Sequence, residues 1–232
     1  PFEVIIADDG SNHKTKNSIT NYAVHSKLNI KHSFQEDLGF RLARSRNKAI
    51  AVAKGNYIIL IDGDMILHSE FIKDHALNSK NGFFIQGSRV LLTEEMTKNV
   101  IKNHHLNFNF FSKGITNRLN SIHSKFLSKS FSIKKNYLKG VKTCNMSFFQ
   151  KDFISVNGFN NDFEGWGRED SEFVARLLHK GINRNTLKFS AIQFHLWHKE
   201  NDRESLMKNN QLLQKTLDEK LKWCESGVNS FL

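Results

Sequence analysis

Apolar and polar positions alternate along this chain in blocks, and the blocks change period in a regular order. FEVIIADDGS is an apolar run that ends in acids, Gly and Ser. It predicts a buried parallel strand entering a loop. Residues 15–27 are weakly helical, and LNIKHSF predicts a short strand. Over Arg41–Lys54, Leu42, Ser45, Ala49, Val52 and Ala53 fall near helical spacing, with Gly55 as the stop. NYIILIDGD is a second apolar strand ending in acids, residues 69–80 are helical, and FFIQGSRVLL is a third strand. Strand and helix in alternation imply an α/β layer with a parallel sheet.

The second half is less regular. Residues 96–142 carry no clean period and predict short helices or a mobile flap. KTCNMSFFQ then reads as a strand and VNGFNND as a turn. Residues 169–180 form a helix with Phe173, Leu177 and Leu178 on one face and Gly181 as its end. SAIQFHLWH is a further strand, and residues 202–223 an amphipathic helix striped by Leu206, Leu213, Leu217 and Leu221. No internal repeat is visible.

Composition narrows the class. With 232 residues, 39% hydrophobic and 25% charged, the chain suits one globular domain over 1–232. Cys144 and Cys224 form no disulfide framework or zinc spacing, which points to a reducing compartment. The longest purely apolar run, Tyr57–Ile61, is far short of a membrane span, and no signal peptide is visible. Because the chain begins at Pro1 and enters a strand at once, a preceding segment is expected.

Charge divides the chain further. The net charge is +11, yet no acidic residue lies between Glu95 and Asp152. That interval holds eleven of the 34 Lys and Arg residues, and the remaining 23 balance the 23 acids elsewhere. The protein is therefore neutral apart from one basic segment. Such a segment suits a solvated face, or phosphates of nucleotides, anionic lipids or nucleic acid.

Acids gather at three places. Two strands end in pairs, Asp8-Asp9 and Asp62-Gly63-Asp64. Each alone is compatible with an Asx turn or a helix cap. Together they mark the strand ends where ligands of α/β sheets sit, and carboxylates one residue apart can share a hard divalent ion. The third group, Glu169, Asp170 and Glu172, follows Gly165-Trp166-Gly167. Acids in a first helical turn complement the helix dipole, which also holds them ionised and able to accept a proton. Glu172 reads as dipole complement only. The Trp166 ring offers a flat face to a sugar. His195 and His198 close the next strand, where either could complete a carboxylate-bound ion; in a regular strand only one would point into the site.

These motifs in order resemble the nucleotide-sugar-dependent glycosyltransferases of family 2, of GT-A fold, with a galactosyltransferase-like C-terminal region. The resemblance rests on VIIADDGS, SRNKAIAVAKGNYIILIDGDMIL, TCNMSFFQKDFISVNGFNNDFEGWGREDSEFVARLLHKG and FHLWHKEN. It implies a Rossmann-like, mostly parallel sheet flanked by helices. Residues 1–95 become the nucleotide-sugar half, 96–142 a basic insertion, 143–200 the acceptor and catalytic half, and 201–232 a C-terminal helix.

The resemblance also implies roles. Asp8 and Asp9 would meet uracil and ribose, and Arg44 and Asn47 would be nucleotide contacts. Asp62 and Asp64 would be the D-x-D pair. Asp64 and His195 would hold Mn²⁺ or Mg²⁺, with Asp62 and His198 as second choices. Asp170 would be the catalytic base, with Glu169 beside it on the acceptor, and Trp166 and Gly167 would line the sugar. The partners implied are a UDP-sugar, a glycan or glycolipid acceptor of the bacterial lipopolysaccharide or capsule type, and an anionic membrane surface on the cytoplasmic side, with no nucleic acid. Two departures accompany it: the family's first strand has no counterpart, and 96–142 matches no family motif. A nucleic-acid-binding module built on the basic segment, or an inactive scaffold, are the rival readings.

Overall fold

The computed structural model describes residues 1–199 and 203–232, so the start of the helix expected over 202–223 and part of the Lys-Glu-Asn stretch after His198 lie outside the described residues. The strands are β1 (Glu3–Asp9), β2 (Asn29–Gln35), β3 (Tyr57–Ile61), β4 (Met65–Leu67), β5 (Phe83–Gln86), β6 (Arg89–Leu92), β7 (Ile115–Thr116), β8 (Ile133–Lys134), β9 (Asn145–Phe149), β10 (Asn183–Thr186) and β11 (Gln193–His195). The helices are α1 (His13–His25), α2 (Leu42–Ala51), α3 (Phe71–Asn78), α4 (Glu94–Asn103), α5 (Lys125–Phe131), α6 (Gln150–Ser155), α7 (Glu169–His179) and α8 (Leu206–Asp218).

The α/β alternation is as the sequence predicts, and the sheets are mixed in direction. β1–β2, β5–β10 and β6–β11 pair in parallel. β5–β9, β8–β10, β4–β11 and β6–β7 pair antiparallel. The strand orders are β1-β2, β3-β9-β5-β10-β8 and β4-β11-β6-β7. The chain folds as two compact units that interleave the sequence: Pro1–Ile58, Phe149–Gly181 and Asn201–Leu232 in one, Ile59–Phe148 and Ile182–Glu200 in the other.

FFIQGSRVLL is two strands, not one. Gly87 donates its N–H to the Asn145 carbonyl at 2.9 Å, and a Cβ there would stand 2.3 Å from Asn145 Oδ1. That close approach breaks the run and sends β5 and β6 into different sheets. The irregular 96–142 segment holds α4, β7, α5 and β8, and its His123 is fastened to Asp74 at 2.9 Å.

In the second unit, Val90, Leu92, Val100, Ile115, Ile192 and Phe194 form one apolar cluster, and Phe71, Ile85, Leu187 and Ala191 another. In the first unit, Phe153, Phe159 and Phe173 are fully buried, with ring centroids 4.4–6.0 Å apart. Beside them lies an ion pair. Glu172 is not dipole dressing: its carboxylate accepts two bonds of 2.7 Å from Arg176 and one of 3.1 Å from the Thr216 hydroxyl, with Glu172 and Arg176 both buried. Arg176 also donates to the Val156 carbonyl, and Thr216 brings α8 into the network.

Removing one partner of such a pair strands a buried charge. Arg176→Met is expected to cost about 3–5 kcal/mol in chemical denaturation. The double substitution Glu172→Leu/Arg176→Met should recover most of that loss.

Candidate active site and metal centre

The metal-type cluster is built by one short ladder. The Asp62-Gly63-Asp64 turn follows β3, and β4 begins at the next residue. β4 runs antiparallel to β11 with Met65 opposite His195, and the Leu196 N–H donates to the Asp64 carbonyl at 2.9 Å. Asp64 therefore faces the end of β11. Its Oδ2 lies 3.2 Å from His195 Nε2 and 3.0 Å from His198 Nε2. The ligand-type atoms of Asp64, His195 and His198 all fall within 4.8 Å of one another.

Three features suit a cation. Asp64 Oδ1 is buried and accepts no hydrogen bond from the described residues, which leaves free lone pairs. His198 Nδ1 lies 2.8 Å from the Lys199 carbonyl, so Nδ1 carries a proton and Nε2 is the ring nitrogen left to serve as a ligand. Burial pushes the Asp64 carboxyl up, but His195 and His198 outweigh it and hold the group below the ordinary aspartate value. Two imidazoles and a carboxylate form a mixed nitrogen and oxygen set, better suited to a transition ion such as Mn²⁺ than to Mg²⁺, which prefers oxygen alone.

His198 is thus a full member of the cluster, a correction to the one-histidine expectation. β11 ends at His195, so strand alternation no longer governs the residues after it. Asp62 is half-buried and stands outside the three-residue cluster.

The other candidates lie in the first unit. Asp8 is buried, accepts from the Ser11 N–H at 2.8 Å and lies 2.7 Å from His32 Nε2. Burial raises its pKa, yet Ser11 and His32 together bring it below the ordinary value. Asp9 accepts from the Gln35 amide and the Arg41 N–H. Gln35 in turn accepts from Arg44 at 2.7 Å, and the Arg44 guanidinium lies over Phe231. Asp9, Gln35 and Arg44 therefore form a chain at the carboxyl ends of β1 and β2.

Asn47 is not a nucleotide contact. It is fully buried, donates to the Phe159 carbonyl at 2.7 Å and Asn161 Oδ1 at 2.8 Å, and accepts from the Phe159 N–H at 2.8 Å. Both amide protons are used in fastening α2 to the turn at 159–161.

The Gly-Trp-Gly loop is clamped from behind. Fully buried Asn209 of α8 donates to the carbonyls of Glu164 and Gly167 at 3.1 and 2.9 Å. Gly165 has φ +70°, and a Cβ there would meet Ser205 Oγ at 2.1 Å. Arg168, at the start of α7, also adopts a left-handed φ of 77°, which is uncommon for a side chain of this kind. Trp166 is 39% exposed with the Arg203 guanidinium 5.3 Å from its ring centre.

Glu169 and Asp170 open α7. Glu169 Oε1 lies 3.5 Å from Arg46 Nη1. Asp170 accepts from the Ser171 N–H at 2.6 Å. Its carboxyl is not held low by the helix end. Burial raises it above the ordinary aspartate value, against the pull of Ser171, Arg46 and Arg168. A raised carboxyl is a stronger base once ionised.

Arg46 was missed by the sequence reading. The signal was present: it shares the buried face of α2 with Ala43 and Ile50, where a cation requires an anion.

Comparison with known proteins decides the family. The model described as "Glycosyl transferase family 2" matches residues 1–152. The chain belongs to glycosyl transferase family 2. A second, "N-terminal domain of galactosyltransferase", matches residues 123–199, so the two matches cover the basic segment and the Gly-Trp-Gly loop. The chondroitin synthase of Pasteurella multocida (strain Pm70) is 27% identical over 199 residues, 78% of this chain and 20% of that protein. A validoxylamine A glucosyltransferase of Streptomyces hygroscopicus subsp. jinggangensis (strain 5008) is 28% identical over 202 residues, 78% of this chain and 45% of that one. The chain thus spans less than half the length of these two curated relatives. A crystal structure of GalNAc-T7 with UDP, GalNAc and Mn²⁺ superposes with a TM-score of 0.61 at 12% identity, over 94% of this chain and 50% of that one. The fold of this family 2 chain is accordingly that of the GT-A glycosyltransferases.

The raised Asp170 carboxyl has a stability consequence with a definite sign. A carboxyl raised by folding stabilises the protein fully only below its unfolded pKa, and that contribution is lost as pH rises through the folded value. Asp170→Asn is therefore expected to raise the melting temperature at neutral pH. The gain should shrink as pH falls into the ordinary carboxylate range, measured by thermal unfolding across pH.

Proposed function

We propose that this chain is the catalytic domain of an inverting, metal-dependent glycosyltransferase that moves a sugar from a UDP-sugar to a hydroxyl of a glycan. The observation that carries the reading is the Asp64–His195–His198 cluster, with an Asp64 oxygen that has no hydrogen-bond partner among the described residues, set beyond a strand end of an α/β fold. The named relatives and the UDP and Mn²⁺ of the GalNAc-T7 structure support it.

In this reading Asp64, His195 and His198 hold the divalent ion. When bound, the ion supplies Lewis-acid stabilisation of the diphosphate charge that develops as the sugar departs. Asp8, Asp9 and Arg44 form the nucleotide end, with Asp62 as a further donor-side acid. The Asp9–Gln35–Arg44 chain fixes the carboxylate and guanidinium in advance, so little side-chain freedom is lost on binding.

Asp170 takes the proton from the acceptor hydroxyl as that oxygen attacks the anomeric carbon. Its raised pKa matches this task better than a fully acidic carboxyl, because a base is more effective as its pKa approaches the working pH. Glu169, held by Arg46, accepts hydrogen bonds from the acceptor, and Trp166 and Gly167 present a ring face and open backbone to it. One displacement from the face opposite the leaving group inverts the anomeric configuration.

Mixing the chain with UDP and Mn²⁺ at about a hundred times Kd should raise its melting temperature by about 5–10 °C, and a chelator should abolish the rise. Asp170→Asn should keep that shift while losing transfer by a factor on the order of 10² or more in kcat. Near-normal turnover would remove Asp170 from the base role, and a chelator-insensitive shift would remove the metal from donor binding.

A further inference from the structure

The acid-free interval that gives the chain its net charge has a second property. Several large apolar side chains in it are exposed. Phe111 is 86% exposed, Phe126 78% and Leu119 67%. Each lies within four residues of a lysine or arginine: Lys113 for the first, Lys125 and Lys129 for the second, Arg118 for the third.

These side chains are held out by structure that is itself fixed. Phe111 stands on a turn in which Asn109 Oδ1 accepts the Phe111 N–H at 2.9 Å. Arg118 clamps the same turn with bonds of 2.7 Å to the carbonyls of Phe110 and Ser112. In α5 the inward face is Leu127 and Ser128, with Ser124 capping the helix and Phe131 half-exposed at its end. The Ser124 N–H donates to the Phe189 carbonyl at 2.9 Å, and the Phe131 ring meets Phe189 at 5.7 Å. Lys125, Phe126 and Lys129 occupy the opposite, exposed face.

We propose that this segment docks the chain onto an anionic lipid bilayer, with Phe111 and Phe126 entering the acyl boundary and the surrounding lysines facing the headgroups. Charge complementarity selects the occupant, because every charged residue from 96 to 151 is basic. The aromatic type selects between anionic surfaces. A soluble polyanionic glycan would pair with the lysines and at most stack on one face of a ring, leaving the apolar tips largely in water, whereas a basic surface with apolar tips has the composition of an interfacial membrane contact. The inference stands apart from the catalytic reading and is read out without turnover.

The test is co-sedimentation of the chain with vesicles of phosphatidylcholine alone and with about 30% phosphatidylserine. Binding should be at least about tenfold tighter to the anionic vesicles. Phe111→Ser/Phe126→Ser and Lys125→Gln/Lys129→Gln should each weaken it by about tenfold or more. Neither pair should alter the melting temperature. Equal binding to both vesicle types, or undiminished binding by the double phenylalanine variant, would overturn the proposal. So would binding of a soluble polyglucuronate chain with none to anionic vesicles.

Discussion

Three residue pairs of antiparallel ladder, Met65–Leu67 against Gln193–His195, set the geometry on which the candidate metal centre depends. They place the Asp64 carboxylate opposite the end of β11. The ladder is pinned on its other side. β11 pairs in parallel with β6, and the loop before it is gripped by buried polar groups. Asn145 Nδ2 donates to the Ala191 carbonyl, and Asp74 Oδ2 accepts the Ala191 N–H, both at 2.8 Å. His75 Nε2 lies 2.9 Å from Asn145 Oδ1 and its Nδ1 2.7 Å from Ser147. Burial lowers the His75 pKa to about 4, so the ring is neutral at physiological pH and serves this network as a bridge. Satisfied buried polar groups fix one arrangement where apolar packing would tolerate several.

The first unit uses the same device at the other candidate site. Asn209 holds the Gly-Trp-Gly carbonyls, Asn47 holds the turn at 159–161, and the Glu172–Arg176–Thr216 network locks α7 to α8. Each site rests on buried amides and one buried charge network. The half-buried acids proposed to do the chemistry, Asp64 and Asp170, take no part in those networks. Asp64 keeps one oxygen without a partner among the described residues, and Asp170 keeps a raised pKa. A carboxylate fully satisfied by internal donors would be neither a ready ligand nor an effective base.

Much of this was visible in the residues. β1 and β3 announced themselves as apolar runs ending in acids, and α2, α7 and α8 by their period. The order of the motifs pointed to the family that the comparison then identified. What was hidden depended on partners remote in sequence. β10 reads NRNT, with no apolar residue; it is a strand because Arg184 is buried and clasps the carbonyls of Tyr137, Lys139 and Gly140. The break at Gly87 needs Asn145, 58 positions away, and is invisible in FFIQGSRVLL alone. Asn47 looked like a ligand contact because its partners at 159–161 could not be seen. Glu172 looked superficial, although Arg176 four residues on was the visible half of a buried pair.

The central claim is that Asp64, His195 and His198 hold one divalent ion beside the donor diphosphate. The most direct measurement is a crystal structure grown with UDP and Mn²⁺, with anomalous scattering recorded at the manganese edge. The account predicts one anomalous peak at coordination distance, about 2.0–2.3 Å, from an Asp64 oxygen and both histidine Nε2 atoms, with the UDP phosphates completing its shell. A peak coordinated elsewhere, or UDP bound with Asp64 still paired to both histidines and no metal between them, would contradict it.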